Sequence, residues 1–114
     1  MWQVRVFRSE RGNEPVTEFL LSLTENDRVK AMQQIKLLTE FGVMLKEPYS
    51  RQVQGKIREL RASGKVGEIR ILYFPYKDKT FILLNAFVKK AQKTPQKEIE
   101  TAIKRMQNVI ETGG

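Results

Sequence analysis

The chain of 114 residues contains no cysteine and no histidine. Lack of cysteine rules out a disulfide framework and a thiolate nucleophile. Lack of histidine removes the side chain that ordinarily titrates near neutral pH. With both types missing, the two preferred ligands of zinc are gone. Catalysis would have to rest on Lys, Arg, Tyr, Asp, Glu or backbone groups. Long apolar runs are also missing. None approaches the roughly 20 residues of a membrane helix, and the opening MWQVRVFRSE alternates like a strand and lacks the apolar core of a signal peptide. There is no Gly-rich phosphate loop, carboxylate cluster or EF-hand spacing. These absences lead us to expect a cytoplasmic protein with no membrane partner, no metal and no small-molecule cofactor.

Acidic residues are scarce in one window only. From Arg51 to Lys93 eleven Lys and Arg face three acids, Glu59, Glu68 and Asp78, while the remainder holds ten of each sign. The formal charge of +8 therefore belongs to this block. Concentrated positive charge of this kind is the footprint of a polyanion-binding surface. Otherwise the composition, 40% hydrophobic and 30% charged, is that of an ordinary globular chain. Its length predicts one domain, 1–114, with a modest core.

The order of elements follows from periodicity. Trp2 to Phe7 alternate as a strand. Asn13 is placed to cap a helix with Pro15 in its first turn, and Val16, Phe19, Leu20 and Leu23 form its apolar face. Thr24 caps a second helix, with Asp27 at the capping-box position. Its stripe is Ala31, Ile35 and Leu38, widened by Met32 and Phe41, and it stops at Gly42. A helical hairpin results. Val43 to Gln54, with Pro48, is expected to be a loop; Tyr49 and Arg51 are its candidate ligand contacts.

Three strands follow: Lys56 to Arg61, Glu68 to Phe74 and Thr80 to Val88. The last is the most apolar and is expected at the centre. Short turns predict antiparallel hairpins. Thr94 and Pro95 then open a final helix with Ile99, Ala102, Ile103, Met106 and Ile110 on one face; Gly113 and Gly114 are expected to fray. The predicted fold class is α+β: an antiparallel sheet of about four strands in the order β-α-α-β-β-β-α, with two N-terminal helices packed on it and a C-terminal helix.

Several segments together carry a family resemblance. They are Pro15 with Phe19; Glu59-Leu60-Arg61; Arg70-Ile71-Leu72-Tyr73-Phe74; Asn85-Ala86-Phe87-Val88-Lys89-Lys90; and Lys93-Thr94-Pro95 before a helix with Glu98, Ile99 and Ala102. In this order and spacing, over nearly the whole chain, they resemble the RelE/ParE toxin superfamily, in particular its phage-derived, HigB-like branch. Where many relatives of that branch carry a histidine before the Ala-Phe pair, this chain has Asn85.

The resemblance implies the toxin of a toxin–antitoxin module. It also implies a ribosome-associated endoribonuclease that cuts mRNA during translation, and a cognate helix-turn-helix antitoxin as partner. The ParE type implies a different activity, inhibition of DNA gyrase without catalysis. A plain RNA-binding module is the third reading of the basic block.

Metal-independent RNA cleavage uses the substrate's own 2′-hydroxyl to attack the adjacent phosphate. The enzyme must align the groups, stabilise charge and assist two proton movements. Arg is suited to the phosphate because it is always charged, planar and rich in donors. Arg70 and Arg61 are the candidates, Arg70 first, because a charge in an otherwise apolar strand must face something. Lys89 and Lys90 follow the central strand, and alternation points one of them at the RNA. Glu59 reads equally as a base or as an ion-pair partner of an arginine. Arg51, Lys56, Arg58 and Lys93 are candidate RNA contacts. Tyr76, in a turn, is the freest of the aromatics for stacking.

Overall fold

The computed structural model describes residues 1–113. Gly114, expected to fray, lies outside them; Gly113 is the left-handed C-terminal residue of the last helix. The elements are β1 (Gln3–Val6), α1 (Pro15–Ser22), α2 (Glu25–Phe41), a short 3-10 turn (Gly42–Met44), β2 (Ser50–Gln54), β3 (Ile57–Gly64), β4 (Gly67–Pro75), β5 (Thr80–Lys89) and α3 (Gln96–Thr112). The strands form one sheet in the order β1-β5-β4-β3-β2.

This is the expected α+β fold with three corrections. The sheet has five strands, because Ser50–Gln54, expected to be a loop, pairs with β3 at the edge. Its polar sequence SRQVQ buries only Ser50 fully and hides Val53 in part. A short polar strand suits an edge that must not attract other chains. The sheet is also mixed: β1 runs parallel to β5. No hairpin links these two strands, so the whole intervening chain serves as the crossover that parallel pairing requires. β5 lies second from one edge and β4 occupies the centre.

Two apolar layers hold the sheet. On one face Val16, Leu20, Ala31 and Leu38 of the helical hairpin pack on Leu60, Ile69, Ile71, Tyr73, Phe81 and Leu83. On the other, Ala102 and Val109 of α3 pack with Ile57, Leu72, Phe74, Ile82 and Leu84. Met32, Phe41 and Ile110, expected on apolar stripes, are about half exposed.

Thr24 caps α2 by accepting from the Asp27 backbone N–H at 3.3 Å. The Asp27 carboxylate does not close the box. It accepts from the backbone N–H of Lys65 (2.9 Å) and Val66 (3.0 Å), which ties the β3–β4 turn to the helix. Gly42 ends α2 with φ of +57°, and a Cβ there would lie 2.1 Å from the Trp2 indole nitrogen. Trp2 in turn stacks on Phe81, with ring centres 4.6 Å apart. At α1 the cap position falls on Glu14, one residue after Asn13.

One irregularity decides what the site contains. Leu72 pairs with Asn85 but Tyr73 pairs with Leu83, leaving Leu84 as an extra residue, a β-bulge. Strict alternation would put Leu84 and Asn85 on opposite faces. Instead both face α3: Leu84 packs in its core layer, and Asn85 Nδ2 donates to the Glu98 carboxylate (2.9 Å) and backbone carbonyl (3.3 Å). Arg105 of α3 donates to the Leu84 carbonyl at 2.9 Å. The bulge is thus clamped to α3 from both sides, and Phe87 and Lys89 are carried onto the α3 face.

Candidate phosphate-binding cleft

α3 covers only part of its face of the sheet. Beyond its N-terminal end, β3, β4 and the end of β5 carry charged side chains in register. Arg61 is opposite Arg70, which is opposite Phe87; Ser63 is opposite Glu68, which is opposite Lys89. Arg61, Glu68, Arg70, Lys89 and Lys90 line an open cleft of about 380 Å³. Gln92 also lines a neighbouring lobe of about 280 Å³, together with Arg51, Gln52, Glu59, Lys93 and Thr94. A larger, more apolar hollow of about 420 Å³ lies at the C-terminal end of α2, where Tyr49 is found with Phe41, Met44 and Leu45. It shares no lining residue with the charged cleft, although the Tyr49 carbonyl accepts from the Arg61 backbone N–H at 2.9 Å.

Arg70 is the centre of the cleft, and its side chain is only 3% exposed. Nη1 donates to the Ile69 carbonyl at 3.0 Å and Nη2 to Glu68 Oε1 at 3.0 Å. Nε lies 3.4 Å from Glu59 Oε1, an ion-pair distance without hydrogen-bond alignment, and has no other partner. Glu59 is buried and accepts a hydrogen bond from the Thr94 hydroxyl. Thr94, expected to cap the last helix, is therefore used otherwise, and Pro95 occupies the cap position. Glu68 is half exposed; its second oxygen accepts from Ser63 Oγ at 2.7 Å. The hydrogen bonds from Ser63 and Arg70 hold the Glu68 carboxyl below the usual carboxylate range, against the opposing effect of desolvation. Among the described residues Arg61, Lys89 and Lys90 have no carboxylate within ion-pair distance.

The sequence candidates divide cleanly. Arg61, Arg70, Lys89 and Lys90 meet in one lobe; Glu59, Arg51 and Lys93 meet in the adjoining one. Three others stand elsewhere. Arg58 alternates to the opposite face, where its Nε donates to Ser50 Oγ at 2.9 Å. Lys56 is exposed in the β2–β3 turn, at the far end of β3 from Arg61. Tyr76, in the β4–β5 turn, is partly buried against Phe74, with centroids 5.8 Å apart. Ser63 and Thr94, which hold the two carboxylates, carried no sequence signal for that role. Among the described residues no three His, Cys, Asp or Glu come together in a way that could hold a metal ion.

A mixed five-stranded sheet between a helical hairpin and a lone helix is the RelE fold. The free-state structure of a double mutant of the E. coli toxin RelE is similar over 91% of this chain and 96% of that one, with 12% identity and a TM-score of 0.59. The archaeal RelE in its complex with RelB from Pyrococcus horikoshii is similar over 78% of this chain and 96% of that one, with 19% identity and a TM-score of 0.52. Residues 18–107 match the family described as Phage derived protein Gp49-like, and the chain belongs to that family. Comparison with curated proteins gives no match.

Proposed function

We propose that this chain is the toxin of a toxin–antitoxin module, of the HigB-like branch, and that it is a ribosome-associated endoribonuclease cutting mRNA during translation. One observation carries the reading. Three cations without acidic partners, Arg61, Lys89 and Lys90, converge with Arg70 on an open cleft. The RelE fold supports the class.

In the proposed reaction the 2′-oxygen loses its proton and attacks the adjacent phosphorus. The bond to the 5′-oxygen breaks, and that oxygen leaves with a proton. The upstream fragment ends in a 2′,3′-cyclic phosphate. Arg61, Lys89 and Lys90 bind the phosphate oxygens and stabilise the charge that accumulates on them. Glu59 is a positioning residue: buried and held by Thr94, it fixes Arg70 from below. Lys93 and Arg51, in the adjoining lobe, follow the RNA backbone. Attack by the substrate's own hydroxyl needs no metal to generate a nucleophile.

The partner in this reading is a helix-turn-helix antitoxin, and the site of action is the cytoplasm. A complex is the form in which the archaeal neighbour was solved. Induction of the gene with pulse labelling, followed by primer extension and end-group analysis of message translated in vitro with excess chelator, tests the proposal. We expect translation to stop before DNA synthesis and upstream ends carrying a cyclic or 3′-phosphate. A 3′-hydroxyl end would overturn the chemistry. An early DNA-damage response with intact message would point to gyrase.

A further inference from the structure

The two carboxylates on Arg70 are not equivalent. Glu59 is 1% exposed and locked by Thr94, so it cannot leave without disturbing the core. Glu68 is 51% exposed at the cleft mouth, and its other anchor, Ser63, is itself on the surface. Its cross-strand neighbour is Lys89, yet it bonds along its own strand to Arg70 and leaves Lys89 without an acidic partner. Arg70 Nη2 and Nε line up one donor edge, and Nε has no hydrogen-bond acceptor. A phosphate oxygen replacing Glu68 would meet Nη2, while Nε on the same edge stays turned to the buried Glu59 carboxylate.

We propose that the Glu68 carboxylate occupies the seat of a substrate phosphate on Arg70, making Glu68 a specificity-determining residue that RNA must displace. The inference rests on the nuclease reading for the identity of the ligand. The masking itself follows from the geometry. A phosphate entering the cleft gains Arg61, Lys89 and Lys90 as well as Arg70; a small monovalent anion cannot span them. Glu68 therefore sets a threshold: closely spaced phosphates displace it, and isolated weak anions do not.

The test measures binding of a short single-stranded oligonucleotide with 2′-O-methyl groups, which can dock but not react. Glu68→Gln is expected to tighten binding roughly tenfold and to steepen the salt dependence by about 0.7 log unit per log salt, one additional phosphate contact. Glu68→Ala, which leaves no acceptor for Arg70 Nη2, should do at least as much. In an Arg70→Gln background either gain should vanish, because the unmasked group is no longer there. A gain that persists without Arg70 would reduce the effect to general charge and overturn the proposal, as would unchanged affinity in both Glu68 variants. Circular dichroism checks folding of each variant. Inorganic pyrophosphate is run in parallel. An Arg70-dependent gain with pyrophosphate but no RNA binding by any form would retain the mask and sink the nuclease reading; normal RNA cleavage with no effect at Glu68 would do the reverse.

Discussion

The Thr94 hydroxyl donates to the buried carboxylate of Glu59, 35 positions earlier in the chain. That one bond ties the segment 90–95 to the floor of the cleft, and the same segment carries Lys90 and Lys93. Thr94→Val keeps the shape and removes the donor, leaving a buried carboxylate oxygen without it. We expect a loss of about 1–3 kcal/mol in denaturant unfolding. Amide exchange should quicken in 90–95 before the rest of the sheet. Unchanged exchange there would show that the loop is held by other contacts.

Salt dependence of RNA binding separates a site from diffuse attraction. Each single-strand phosphate contact contributes roughly 0.7 log unit per log salt. Replacing Lys89, Lys90 and Lys93 together by Ala should flatten the slope by about two units on that scale. Replacing Lys30, Lys36 and Lys104, which lie on α2 and α3, should barely change it. Equal effects from the two triple variants would count against the cleft.

Asp27 links stability to pH. The backbone N–H groups of Lys65 and then Val66 hold its carboxyl below the usual carboxylate range. A group depressed on folding contributes stability above its unfolded pKa and loses it as pH falls through the folded one. Glu68 acts in the same direction. The melting temperature should therefore decline in acid below the ordinary carboxylate pKa. Asp27→Asn should lower it at neutral pH and make the acid limb shallower, since an amide oxygen can replace only part of the two-point acceptance. A parallel acid limb in wild type and variant would refute the assignment.

Gly42→Ala would place a methyl group on the Trp2 indole at a backbone φ of +57°. Strain and overpacking together should cost about 3 kcal/mol. Trp2 is the only tryptophan, so its fluorescence reports directly: emission should shift to the red in the folded variant as the ring leaves Phe81. Unshifted emission with full stability would mean that the chain ends relax around the substitution at little cost.

Much of the fold was legible because its apolar periods are strong. The helical hairpin, the three central strands and α3 all follow from spacing, and the charge count located the cleft on the right strands. Edge pairing was not legible. SRQVQ contains one apolar residue, so its strand conformation comes from the neighbour it pairs with and not from its own pattern. Alternation along β3 could have separated Arg58 from Arg61 and Glu59, since odd and even positions face opposite layers. Alternation along β5 points only one of Lys89 and Lys90 at the RNA, but the strand ends at Lys89, so Lys90 is free of its period and both line the cleft. The use of Thr94 as an anchor depends on a partner 35 residues away, which no local window reports, and that of Ser63 on the register that sets it opposite Glu68 across the hairpin.

The extra residue at Leu84 also puts the two halves of β5 in different phase. Counting from Phe81, the first half spends its odd positions on the hairpin layer; from Asn85 onward the odd positions belong to the cleft. Excision of Leu84 would restore a regular ladder and leave Asn85, Phe87 and Lys89 on the cleft face, because Leu83 and Asn85 already pair with the adjacent residues Tyr73 and Leu72. A regular ladder that retained Leu84 would instead turn Asn85, Phe87 and Lys89 toward the hairpin layer. The phase of β5 is therefore set by where the extra residue is absorbed: moving the bulge along the strand would turn each side chain it passes from one layer to the other with no change of sequence.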